Sequence, residues 1–246
     1  MKNPGRTLAL LAALQFGALP AYAGWLINSF QFAVAATPAY VNTYEDTTSQ
    51  TTYTFASASL GTPSASRMVV TVASCNSASG AISSITVDGT SSTSVVTSGS
   101  TSRHIEIWRA ASTANSTGDI VITMPSSGTT GCRVSVYALY PSSQTPVDAL
   151  GTNGTSVTTR TLTDLAKTAG GSAIFGCTTN DTTRTTTVTY TGETITKDNE
   201  NTSFDAGKSV ASHSVLNVAS TTTLDDPVCT WSSSSAGVGF VGATWF

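Results

Sequence analysis

After Gly24 no stretch of this chain sustains the rhythm of an amphipathic helix, in which apolar residues recur every three or four positions. Apolar residues come instead in short bursts bounded by Gly, Ser, Asn and Pro. That pattern favours strands and turns, and its recurrence points to a β-sandwich or barrel. Composition agrees. Ser and Thr together number 80 of the 246 residues. The branched Cβ of Thr fits a pleated surface, and the Ser hydroxyl bonds nearby backbone in turns. Only 10% of residues are charged, so the polar surface is made of hydroxyls rather than ions. Such a surface resists self-association less than a charged one does.

The strands can be placed along the chain. Trp25 to Ala35 reads as an opening strand, followed by Thr51 to Phe55. Arg67 to Cys75 is apolar on both faces near its centre, which predicts a strand central in its sheet. Ile85 to Val87 runs into the turn pair Asp88-Gly89 and then Ser94 to Thr97. Arg103 to Ala110 sets Ile105 and Ile107 on one face and His104, Glu106 and Trp108 on the other, with Trp108 expected to be partly exposed. Asp119 to Met124 and Arg133 to Tyr140 complete this set.

The second half repeats the order. Thr158 to Leu162 matches Thr51 to Phe55, Ser172 to Cys177 matches Arg67 to Cys75, and Val210 to Val218 matches Arg103 to Ala110. Asp226 to Trp231 matches Asp119 to Met124, and Ser234 to Ala243 matches Ser127 to Leu139. Thr186 to Tyr190 and Glu193 to Lys197 read as a hairpin about Thr191-Gly192. The chain is therefore expected to be all-β, with two tandem, duplicated, jelly-roll-like β-sandwich units at residues 24–141 and 142–246. Their join, Pro141 to Val147, would equally serve as one loop of a single large jelly roll.

Residues 1–23 stand apart. Lys2 and Arg6 precede the apolar run Thr7 to Leu19, then Pro20 and Ala21-Tyr22-Ala23. These are the marks of a secretory signal peptide, and the run is shorter than the roughly twenty apolar residues a bilayer span needs. The segment is either removed, leaving no membrane attachment in the mature form, or kept as an apolar arm that docks on a neighbouring subunit.

Four cysteines, Cys75, Cys132, Cys177 and Cys229, form no CxxC pair, and with two histidines the chain lacks zinc-ligand spacing. In an exported chain they suit two disulfides. If each half is its own unit, the pairs are Cys75–Cys132 and Cys177–Cys229; the alternative is four reduced, buried thiols. The eleven Lys and Arg are scattered and the net charge is −3, which leaves no footprint for nucleic acid. No P-loop, HExxH, G-x-S-x-G or Rossmann glycine pattern is present. His104 and His213 read as ordinary strand histidines, and the carboxylates of Asp198 to Asp205 as a solvated loop rather than a calcium site. No catalytic residue, cofactor or metal ligand is assigned, and the chain reads as a non-enzyme.

Several segments carry a resemblance. Leu26 to Phe32 (LINSFQF), Thr52-Tyr-Thr-Phe55 with Leu60-Gly61, and Arg67 to Val72 are among them. So are Ser84 to Gly89, Gly118 to Thr123 and Val136 to Tyr140. Through these the chain resembles a loosely defined group of tailed-phage and prophage proteins, the virion-associated β-sandwich proteins, over most of residues 26–246. The resemblance implies a structural component of a virion (decoration, neck, tail or fibre), localised to the particle. Its partners would be other virion subunits and further copies of itself. The competing expectation is a secreted adhesin or carbohydrate-binding module with a surface glycan or receptor as ligand, its exposed aromatics stacking on sugar.

Overall fold

The computed structural model describes residues 37–77, 80–100, 103–111, 114–125, 129–205, 207–219 and 224–246. The segment 1–23 and the opening strand expected at Trp25 to Ala35 lie outside the described residues. Within them there are nineteen strands and no helix. The first half supplies β1 (Ala39–Asp46), β2 (Thr52–Ser59), β3 (Met68–Ser77), β4 (Ser84–Val87), β5 (Thr90–Ser91), β6 (Thr93–Ser100), β7 (Arg103–Ala110), β8 (Thr117–Thr123) and β9 (Thr129–Leu139). The second supplies β10 (Asp148–Gly154), β11 (Val157–Thr161), β12 (Leu165–Ala166), β13 (Ser172–Thr179), β14 (Thr186–Thr189), β15 (Thr196–Phe204), β16 (Lys208–Val215), β17 (Leu224–Asp225), β18 (Val228–Ser235) and β19 (Val238–Trp245).

All pairings are antiparallel, and their order repeats. In the first half β1-β9-β3-β7-β6 forms one sheet and β2-β8-β4-β5 the other. In the second half β10-β19-β13-β16-β15 and β11-β18-β14 follow the same order, with β12-β17 as an added two-stranded strap. Each half is a jelly roll of two Greek-key layers, of five and four strands in the first half and five and three in the second, with the chain crossing to the opposite sheet after β5 and after β14. Asp88 and Gly89, both at positive φ (49° and 74°), make the β4–β5 turn. The expected hairpin about Thr191-Gly192 is not one. β14 belongs to the outer three-stranded sheet and β15 to the inner five-stranded sheet, so this turn carries the chain between layers, as the β5–β6 connection does in the first half.

The four large sheets stack in four layers, with the two five-stranded sheets in the middle. Tyr53, Ile85, Ile120, Ile122, Trp108 and Val134 fill the space between the sheets of the first half. Phe175, Val188, Trp231 and Phe240 do so in the second. A third core lies between the halves, where Met68, Val70, Val72, Ile105 and Ile107 meet Ile174, Val210, Val241 and Trp245. The central sheets are thus apolar on both faces, which explains the runs of buried residues along β3, β9, β13, β16 and β19. Trp108, expected to be partly exposed, is 7% exposed and belongs to the first core. Residues Thr37–Phe246 form one compact unit.

The halves meet along two flanks. β6 packs on β10 and β19, while its counterpart β15 reaches β1 and β9. The two flanks differ in chemistry. On the first the backbones approach closely: a Cβ on Gly151 would lie 2.9 Å from the Thr97 carbonyl oxygen, and the Ser98 hydroxyl donates to the Thr152 carbonyl. On the second, long polar side chains bridge. Arg133 pairs with Glu45 and donates to Asn199, the Asn201 amide donates to Glu45 at 2.8 Å, and the Tyr137 hydroxyl donates to Asp198 at 2.9 Å.

Candidate functional site on the outer sheet faces

The outer sheets carry the most regular exposed chemistry of the molecule. Strand alternation sends Tyr53, Ile85, Ile122, Val188, Cys229 and Trp231 inward, and their neighbours therefore face out. In the first half the outward residues line up across the strands as Thr52–Thr123–Ser84 and Thr54–Val121–Thr86–Ser91. In the second half the rows are Thr159–Thr230–Thr187 and Thr161–Val228–Thr189. The two faces match position for position, with one Ser-for-Thr change and an aliphatic Val flanked by two Thr in each. No charged residue interrupts these rows. Cross-strand Thr pairs support the sheet and leave a face of methyls and hydroxyls, which costs less to desolvate than a charged one provided the hydroxyls find hydrogen-bonding partners.

The cysteines brace each half differently. Cys75 and Cys132 are directly opposed on neighbouring strands β3 and β9, with Cα atoms 4.1 Å apart. Cys177 on the inner strand β13 is bonded to Cys229 on the outer strand β18, with Cα atoms 6.8 Å apart. One bridge lies within a sheet and the other ties two sheets together. No described cysteine is free. Two disulfides are the chemistry of a protein that matures outside a reducing cytoplasm.

The ionisable side chains in the interior are held by the fold. Glu106, 1% exposed, accepts from the Ile82 N–H at 2.7 Å, the Trp108 Nε1–H at 2.8 Å and the Thr97 hydroxyl at 3.3 Å. Burial pushes its carboxyl above the usual range against those three donors. His104 sits beside Cys75 in register; neither ring nitrogen meets a hydrogen-bonding partner among the described residues, and burial lowers its pKa. His213, 1% exposed, lies 3.0 Å from the Thr186 hydroxyl. Both the N–H and the hydroxyl of Thr186 donate to Glu200, at 2.6 and 2.9 Å. The hydroxyl has one proton, so it accepts from His213 Nε2–H. An imidazole that donates to a hydroxyl is oriented opposite to a general base. Burial, then the nearby Lys197 charge, hold this imidazole down to about 4, with Glu200 pulling the other way.

The Asp198 to Asp205 run is mostly the strand β15 rather than a loop, and its carboxylates diverge. Asp198 takes the Tyr137 hydroxyl, Glu200 takes Thr186 and Lys197, and Asp205 takes the Asn76 amide. Burial raises the Asp198 carboxyl although the hydrogen bond from Tyr137 opposes it.

The sequence patterns gave no signal for one buried cluster. Lys167, at the end of β12, has a fully buried side chain and is paired with Glu193 at 3.3 Å and Asp225 at 3.1 Å. These residues stand 26 and 58 positions away in the chain, so no local motif marks them. A cleft of about 320 Å³ opens beside them, lined by Tyr190, Thr191, Glu193, Ile195 and Asp226. A second cleft, of about 230 Å³, lies between Pro38, Tyr140, Pro141, Gly171, Trp245 and Phe246.

No protein-family model and no curated protein matches the chain. Among solved structures the chain is similar to a conserved protein of unknown function from Pseudomonas aeruginosa. The identity is 10% over 87% of this chain and 94% of that one, with a TM-score of 0.30, a level at which the likeness bears on neither fold nor function.

Proposed function

We propose that this chain is a structural component of a phage virion, working through protein–protein contact with neighbouring subunits and further copies of itself. The observation that carries this reading is the matched pair of uncharged hydroxyl rows on the two outer sheets. They offer two similar, uncharged contact faces on the two outer sheets. The His213 imidazole and the Glu106 and Asp198 carboxylates are held by structural hydrogen bonds, and His104 is enclosed without a partner among the described residues. The resemblance to virion-associated sandwich proteins supports the same reading.

The test is to purify particles from the phage or lysogen that encodes the chain and to quantify its peptides against the major particle proteins. The expected result is constant stoichiometry in intact particles, lost in a V121E/V228E double variant whose folded spectrum is unchanged. Recovery only from the cell envelope or the culture medium overturns it. That second outcome fits an exported adhesin or carbohydrate-binding module, a reading favoured by the two disulfides.

A further inference from the structure

The Lys167 cluster has the composition of a reaction site rather than of a simple ion pair. Lys167 Nζ lies 3.1 Å from Asp225 Oδ2, 3.3 Å from Glu193 Oε1, 2.6 Å from the Thr191 carbonyl oxygen and 4.3 Å from the Tyr190 ring centre. The Lys167 and Glu193 side chains are 0% and 1% exposed, and Asp225 is 12% exposed. One amine and two carboxyl groups are therefore enclosed together, under an aromatic ring.

Every member is fixed in place. Tyr190 to Glu193 is a tight turn, closed by the Glu193 N–H to the Tyr190 carbonyl at 3.0 Å, with Gly192 at φ 74°. A side chain at that third turn position would be strained. The turn alone supplies the ring, the Thr191 carbonyl and the Glu193 carboxylate. The far oxygen of Glu193 accepts the Ala219 N–H at 2.8 Å, and that of Asp225 accepts the Asp226 N–H at 2.8 Å. Asp225 lies in the β12–β17 ladder, paired with Leu165, and Lys167 directly follows Ala166, which pairs with Leu224. The other ion pairs among the described residues lack these features: Arg133 presents a guanidinium, and Lys197 is 36% exposed.

We propose that Lys167 and Asp225 condense to an intramolecular isopeptide bond, with Glu193 as the proton carrier. The resting ion pair first passes one proton from the ammonium to Asp225, giving an amine and a carboxylic acid. The Nζ lone pair then attacks Cγ of Asp225, and the N–C bond forms. Glu193 takes a second proton from nitrogen and returns it to the departing hydroxyl, the C–O bond breaks, and one water leaves toward the adjoining cleft. Three protons on nitrogen become one on the amide and two on the water, and Glu193 ends as it began. No oxidant or cofactor enters.

The physical drive is twofold. Two opposite charges are replaced by a neutral amide, which removes the cost of holding both out of water, while the Glu193 carboxylate left without its cation keeps the Ala219 N–H as a donor. The reacting groups are held in contact, so the step proceeds at the high effective concentration of an intramolecular reaction. The bond would turn the shortest ladder of the second half into a covalent strap. This inference goes beyond the virion reading and is independent of it.

The experiment is a peptide map of the purified full chain after reduction and alkylation, which removes the Cys177–Cys229 link as a source of joined peptides. Trypsin cuts after Arg160, Lys167, Arg184 and Lys208. The expected product is peptide 161–184 joined to 209–246, uncut at Lys167 and lighter than the two together by one water. K167R, which keeps the charge but not the amine nucleophile, is expected to release the peptides separately. E193Q is expected to form the link about a hundredfold more slowly. Wild-type chain that yields 161–167 and 209–246 as free peptides overturns the proposal without recourse to any variant. A water loss mapped to another pair of residues overturns it equally.

Discussion

At the scale of single residues, the interior polar groups set how stability responds to pH. His213 is held neutral by burial, with a folded pKa of about 4 against an ordinary 6.5. A depressed folded pKa means that the unfolded chain binds the proton first, so stability is full above the ordinary value and is lost as pH falls toward the folded one. The expected loss from this group between pH 7 and 4 is about 3 kcal/mol in denaturant titrations, and H213Q is expected to flatten it. Burial of His104 acts in the same direction. Glu106 acts in the opposite sense, because its carboxyl is raised: its share is present at low pH and is lost as pH rises through the raised value. E106A leaves the Ile82 N–H and the Trp108 indole N–H without their acceptor, at an expected cost of about 2–3 kcal/mol. Alternation along β7 placed His104, Glu106 and Trp108 on one face from sequence alone. Their burial was not legible, because the sheet that covers them comes from other parts of the chain.

At the scale of elements, the two disulfides close spans of similar length, 57 and 52 residues. On the chain-entropy account each stabilises by about 4 kcal/mol, and replacement of either pair by Ala is expected to show that loss in equilibrium unfolding. The two losses should differ in place. Cys75–Cys132 joins strands already in register. Cys177–Cys229 anchors the outer β18 to the inner β13, so its removal is expected to raise amide exchange across β11, β14 and β18. Sequence periodicity located the well-buried strands. It missed β1 and β10, edge strands with half-buried patterns in which polar and apolar residues mix. It also took the β14–β15 connection for a hairpin, because a Thr-Gly turn between two Thr-rich runs looks the same whether the chain turns back within a sheet or crosses to another.

At the scale of the whole molecule, back-to-back packing of the five-stranded sheets decides the architecture. Gly176 on β13 sits where a Cβ would lie 2.7 Å from both Ile105 Cδ1 and Val72 Cγ1. The absence of a side chain there lets the two sheets meet. G176V is expected to cost about 1–3 kcal/mol, the range for an overpacked core, measured as a shift in denaturant midpoint. Residues 37–141 produced alone would expose Met68, Val70, Val72, Ile105 and Ile107 together. That fragment is expected to self-associate in sedimentation, while the whole chain keeps this face covered.

The amino-acid order by itself determined the strand class and the alternation that sends Thr outward and aliphatics inward, because these depend on neighbours a few residues apart. Only the tertiary structure decided which sheets share a core, that the hydroxyl rows align across strands, and that Lys167, Glu193 and Asp225 meet. Those contacts are fixed by strand register and layer packing over long separations, and no local pattern in the chain encodes them.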